Sequence, residues 1–140
     1  MQSWMKVFEK YSSGLHTNTI FVGHSLGPAF ILRILEKYGK KIDACFFVAG
    51  FIQRLGIAQF DKRNRSFIEG KFDWKKITSL CKSFTVINSA NDPYVPLQCG
   101  EKLAKNLGVK ITVLENAGHI NKDAGYTHFE FLFEEIKKRL

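Results

Sequence analysis

The chain has 140 residues, with 45% hydrophobic and 24% charged side chains, and this composition excludes a disordered tail as the main reading. A domain of this length buries roughly two-thirds of its unfolded surface and needs no staples to hold a core. Lys and Arg number 21 against 13 for Asp and Glu, a net charge of +8 that favours anionic partners in general without specifying nucleic acid.

The apolar runs stop short of the ~20 residues that a membrane span needs, and Met1 to Tyr11 lacks the continuous apolar core of a signal peptide. Cys45, Cys81 and Cys99 are odd in number and show no metal-type spacing. They read as reduced thiols in a cytoplasmic protein. No His-Glu-x-x-His motif, dinucleotide fingerprint or phosphate loop is present, so neither a metal nor a cofactor is expected.

Apolar periodicity alternates between helix and strand along the chain. Trp4, Val7, Phe8 and Tyr11 share a helical face that Gly14 should end. Thr19–Val22 reads as a short buried strand, and Leu26–Tyr38 as a helix with Pro28 in its first turn. Ala44–Ala49 is a second strand. Residues 51–72 break the pattern and read as one loop-rich, lid-like excursion with a short helix. Trp74–Leu80 is helical, Phe84–Asn88 and Lys110–Leu114 are strands, and Pro96 opens a helix that Gly108 closes. The last helix is expected to begin with a Thr127–Glu130 capping box and to bury Phe129, Leu132, Phe133, Ile136 and Leu140. The alternation predicts a single α/β domain over residues 1–140. Its expected form is a three-layer sandwich around a mainly parallel sheet of about four strands.

In open parallel sheets, ligands gather at the carboxyl ends of the strands. The first predicted strand ends in Gly23-His24-Ser25-Leu26-Gly27, a Gly-x-Ser-x-Gly sequence between strand and helix. The sharp turn lifts the Ser25 hydroxyl above the sheet, and the Leu26 N–H faces the place where an oxyanion would form. A serine hydroxyl needs a base at neutral pH. His16, His24 and His128 are placed less well than His119, which follows the fourth strand in Asn116-Ala117-Gly118-His119. Asp92, in Asn91-Asp92-Pro93 after the third strand, is the candidate to orient that imidazole. Phe51, Phe60, Phe67 and Trp74 lie in or beside the excursion as a candidate apolar roof. His24, Phe51 and Trp74 are the candidate substrate contacts. Lys62, Arg63 and Arg65 read as a solvated run with an alternative role in selecting anionic substrates.

Val22-Gly23-His24-Ser25-Leu26-Gly27, Asp92-Pro93-Tyr94-Val95-Pro96 and Gly118-His119 resemble the α/β-hydrolase superfamily. More narrowly, they resemble the small serine hydrolases related to retinoblastoma-binding protein 9 and YdeN. Phe72-Asp73-Trp74-Lys75-Lys76-Ile77 is a weaker match. The resemblance implies cofactor-free cleavage of a small ester or amide, with Ser25 as nucleophile, His119 as base and Asp92 as its orienter. That family places a strand and a Gly-rich loop ahead of the first helix, and neither precedes Ser25 here. A truncated α/β-hydrolase fold is therefore expected, with Leu26 as the remaining oxyanion donor and weakened activity. Thr19–Val22 should form an exposed sheet edge open to pairing with a second copy. The competing reading is a catalytically silent interaction module on the same fold. Nucleic acid and membrane are not expected as partners, since no recognition motif accompanies the positive charge.

Overall fold

The structure, a computed structural model, describes residues 1–140. Four strands, β1 (Ile20–His24), β2 (Ile42–Val48), β3 (Cys81–Ser89) and β4 (Ile111–Leu114), pair in the order β1-β2-β3-β4. Every pairing is parallel. Six helices accompany them: α1 (Gln2–Glu9), α2 (Gly27–Tyr38), α3 (Ala58–Ile68), α4 (Trp74–Leu80), α5 (Leu97–Leu107) and α6 (Glu130–Lys137).

Parallel strands require crossovers, and with each strand added beside the last the crossover helices α2, α4 and α5 gather on one face of the sheet, while the chain after β4 covers the other. Cys45 and Phe47 of β2 and Val86 of β3 face Ile31, Leu32 and Leu35 of α2, Ile77 of α4, and Leu103 and Leu107 of α5. The alternate residues Val48 and Ile87 face Ala117 and Ile120, with Leu132 of α6 packed behind them. The result is the three-layer parallel sandwich that the alternation predicts. Helix α2 stops at Gly39, which takes the left-handed conformation and donates its N–H to Leu35 O. Gly108 closes α5 in the same way. Cys45, Cys81 and Cys99 are all buried and unbridged. No helix is long and apolar enough to cross a membrane.

Several elements depart from expectation. Helix α1 ends at Glu9, and a separate 3-10 turn covers Ser12–Gly14. Trp4, Val7 and Tyr11 on its expected inner face are 48%, 60% and 66% exposed. Residues 51–72 contain the expected helix, but α3 is longer than a short insert and occupies eleven of the twenty-two positions. Asp61 accepts the N–H groups of Leu55 and Gly56 and pins the turn ahead of α3, while Phe67 and Ile68 bury its far end. The Thr127–Glu130 capping box does not form: Phe129 is the N-cap and provides no side-chain hydrogen bond. The terminal stripe is only partly covered. Phe129 and Leu132 pack inward, whereas Phe133 and Leu140 are exposed. By contrast, strand β1 is the expected sheet edge, with β2 as its one neighbour in the sheet and Val22 half exposed.

Helix α5 lies on β3 with almost no clearance at Gly100. A Cβ there would stand 2.4 Å from Cγ and Oδ1 of Asn88, whose side chain is fully buried and donates to Gly50 O. Gly100→Ala should therefore lower the unfolding free energy by about 1–3 kcal/mol, read by urea denaturation. An unchanged midpoint would show that the α5–β3 contact has slack.

Candidate active site

The chain turns sharply after β1. Ser25 has φ +58°, a left-handed conformation uncommon outside glycine and asparagine. Its N–H donates to Val48 O at 2.9 Å, which ties the turn to the end of β2. The return of the chain leaves no room at Gly23, where a Cβ would meet Pro28 N at 2.8 Å and Gly27 C at 2.9 Å. Helix α2 then begins with Pro28 in its first turn, where the missing N–H does no harm. The Leu26 N–H, just ahead of the helix, makes no hydrogen bond within the chain.

Asp92 lies beyond the carboxyl end of β3, and its side chain has no exposed surface. One oxygen, Oδ1, accepts the N–H groups of Tyr94 at 2.8 Å and Val95 at 2.9 Å. The other, Oδ2, accepts from His119 Nδ1 at 2.8 Å. This bond places the imidazole proton on Nδ1 and leaves Nε2 to accept. The Ser25 hydroxyl stands 3.2 Å from that Nε2. Burial pushes the Asp92 carboxyl up, but the hydrogen bond from His119 and those from Val95 and Tyr94 outweigh it. The net pKa lies below the ordinary carboxylate value.

The loop that carries His119 is fixed at several points. Gly118 and Ile120, on either side of it, have φ +52° and +48°. A β-branched residue in that region needs strong support, and Ile120 is buried against Val48, Ile87 and Ala117. Asn91 Oδ1 accepts from both Ser89 Oγ and Gly118 N–H, and Ser89 Oγ accepts the Ala117 N–H. His24 Nε2 donates to His119 O at 2.8 Å, and the two rings meet edge to face. Ser89 and Asn91 belong to no catalytic motif in the sequence. Their signal is the polar run Ser89-Ala90-Asn91-Asp92 directly after a buried strand.

A cavity of about 330 Å³ opens beside Ser25, Leu26 and His119. Phe51, Leu55, Phe60, Tyr94 and Val95 supply its apolar wall, and Arg63 and Asn64 of α3 its polar one. Phe51 therefore lies where expected. Trp74 does not: it stacks on Phe72 at 5.2 Å between ring centroids and borders a separate polar groove with Gln98 and Lys102. Arg33 sits 3.8 Å above the Phe72 ring and draws this pair toward α2. His24 does not line the cavity; it braces the His119 loop. Phe67 packs under α3 with Ala29 and Cys99. A larger apolar hollow of about 430 Å³ between Trp4, Val7, Phe8, Tyr11 and Phe30 shares no residue with this cavity and offers no titratable group beyond a tyrosine. No three His, Cys, Asp or Glu side chains gather as a metal site.

Comparison with known proteins places this arrangement in a class. The fold is that of the α/β hydrolases: an α/β-hydrolase enzyme from the metagenome of sediments of the Mar Chica lagoon, Morocco, superposes with a TM-score of 0.58 at 16% identity, covering 98% of this chain and 68% of that one. The chain belongs to the serine hydrolase family, whose profile, described as "Serine hydrolase", matches residues 1–138. It is 31% identical over 138 residues to YdeN of Bacillus subtilis (strain 168), covering 97% of this chain and 71% of YdeN. The crystal structure of the B. subtilis ydeN gene product superposes with a TM-score of 0.90 at 28% identity, covering 99% of this chain and 74% of that one. The serine hydrolase RBBP9 of Rattus norvegicus is 25% identical over 122 residues, covering 87% of this chain. The chain spans 61% of the length of RBBP9.

A depressed carboxylate pKa contributes stability that is present above the unfolded value of ~3.9 and is lost as pH falls through the folded value. Wild type should exceed Asp92→Asn in stability by about 1–3 kcal/mol at neutral pH. That margin should shrink below pH ~4, as measured by denaturant titrations across the acid range. A margin that stays constant down to pH ~2 would contradict the Asp92–His119 bond.

Proposed function

We propose that this chain cleaves a small ester or amide by acyl transfer through Ser25. The single observation that carries the reading is the continuous chain of contacts Ser25 Oγ, His119 Nε2, His119 Nδ1 and Asp92 Oδ2 at one wall of one cavity. The strained φ of Ser25 supports it, since such conformations persist where surrounding structure holds them for a task.

In this mechanism Ser25 Oγ attacks the substrate carbonyl carbon as its proton passes to His119 Nε2. The carbonyl oxygen becomes an oxyanion, and the unpartnered Leu26 N–H donates to it. Asp92 keeps its charge throughout and stabilises the imidazolium through Nδ1–H. The imidazolium returns the proton to the leaving oxygen or nitrogen as the C–O or C–N bond breaks, which leaves the acyl group on Ser25. A water molecule, deprotonated by His119, attacks that acyl carbon and releases a carboxylic acid with Ser25 restored. His24 and Asn91 act on this sequence by holding the His119 loop.

A fluorophosphonate probe should label wild type and fail to label Ser25→Ala of equal thermal stability. His119→Ala should cut the labelling rate by roughly three orders of magnitude or more. Both rates are read by gel fluorescence and intact mass. Labelling that survives in Ser25→Ala, or none in folded wild type, would overturn the reading.

A further inference from the structure

We propose that the cavity beside Ser25 selects a small apolar substrate that carries an anionic group, and that Arg63 binds this group. The proposal names the substrate class of the site read above as a hydrolase and rests on that reading for its chemical purpose.

The other arginines of this region are all paired. Arg33 pairs with Glu36 and also donates to backbone oxygens of Phe67, Glu69 and Lys71. Arg54 and Arg65 both pair with Glu69. The Arg63 side chain is exposed, has neither an ion pair nor a hydrogen bond within the chain, and forms part of the cavity wall. The nearest acid in sequence, Asp61, is occupied: its two oxygens accept from Leu55 and Gly56 N–H. The Asp92 side chain is covered and is hydrogen-bonded to the His119 ring. The cavity lining therefore holds one guanidinium and no carboxylate.

Arg63 is solvent-exposed at the cavity rim, so water competes for its donors, but no carboxylate of the chain does, and an anion reaching out of the cavity meets an unshared guanidinium. The remaining wall is aromatic, with Phe60 packed edge to face on Tyr94 and Tyr94 on His119. At about 330 Å³ the space is near the lower end of small-molecule sites. One guanidinium matches a monoanion better than a phosphate dianion. The substrate class that fits is an aryl or short alkyl acid derivative with its reacting carbonyl at Ser25 and a carboxylate directed to α3.

The test uses binding rather than turnover. Calorimetry on Ser25→Ala protein at low ionic strength compares 4-phenylbutyrate with its neutral analogue 4-phenylbutyramide. The acid should bind about two- to fivefold more tightly than the amide, the margin of an exposed ion pair. Arg63→Gln in the same background should abolish the preference, and Arg63→Glu should invert it. Arg65→Gln, outside the cavity, should keep it. Absence of an acid preference in Ser25→Ala, including absence of binding by either compound, would overturn the proposal. So would a preference that survives Arg63→Gln, which would assign it to the Leu26–His119 end of the cavity or to the net positive charge of the chain. Fluorophosphonate labelling of wild type is scored separately. Protein that is unlabelled yet discriminates acid from amide loses the hydrolase reading and keeps the anion site.

Discussion

The Asp92 side chain has no exposed surface, and its two oxygens face in different directions. One gathers the N–H groups of Tyr94 and Val95, which fixes the turn after β3; the other holds Nδ1 of His119 from the loop after β4. A buried carboxylate is costly unless every lone pair finds a donor, so this anion pulls two loops into one geometry. The Ser25 hydroxyl, raised by the turn after β1, then meets an imidazole whose protonated nitrogen is already decided. Each further restraint on the rim acts on the same loop: Asn91 on Gly118, Ser89 on Ala117 and His24 on the carbonyl of His119.

The sheet makes this convergence possible. Because all four strands run parallel, their carboxyl ends share one edge, and residues far apart in sequence emerge side by side. Three non-glycine residues with positive φ, Ser25, Ala49 and Ile120, follow strands at that edge. Such conformations cost about 1–3 kcal/mol each. The tight contacts at Gly23 and Gly100 and the buried Ile120 show the packing that sustains them.

Much of this was legible in the amino-acid sequence because the controlling physics is local. A sharp strand-to-helix turn demands a small residue at Gly23, although a Cβ at Gly27 would meet nothing within 4 Å, and Asp-Pro after an apolar strand marks a rim position. Strand–helix alternation then puts Ser25, Asp92 and His119 on one edge. What was not legible depends on distant partners. Helix α3 is polar and basic, and its ends are set by Asp61 on one side and by Arg33 of α2 on the other, which collects carbonyls from Phe67 to Lys71. No window over residues 51–72 contains Arg33. The same guanidinium draws Phe72, and with it Trp74, away from the cavity. The terminal helix misled for a different reason: its apolar spacing is regular, yet the sheet face offers cover to only part of it, and Phe133 remains in solvent.

The account comes down to whether the Ser25 alcohol and the His119 imidazole act on a bound carbonyl in the cavity that Leu26 borders. A crystal structure of the protein after reaction with an alkyl phosphonate tests this most directly. The account predicts phosphorus bonded to Ser25 Oγ, one phosphonyl oxygen within hydrogen-bond distance of Leu26 N–H, and His119 still joined to Asp92 through Nδ1. Phosphorus on another residue, or a Ser25 adduct with the His119 ring turned away and its bond to Asp92 broken, would contradict it.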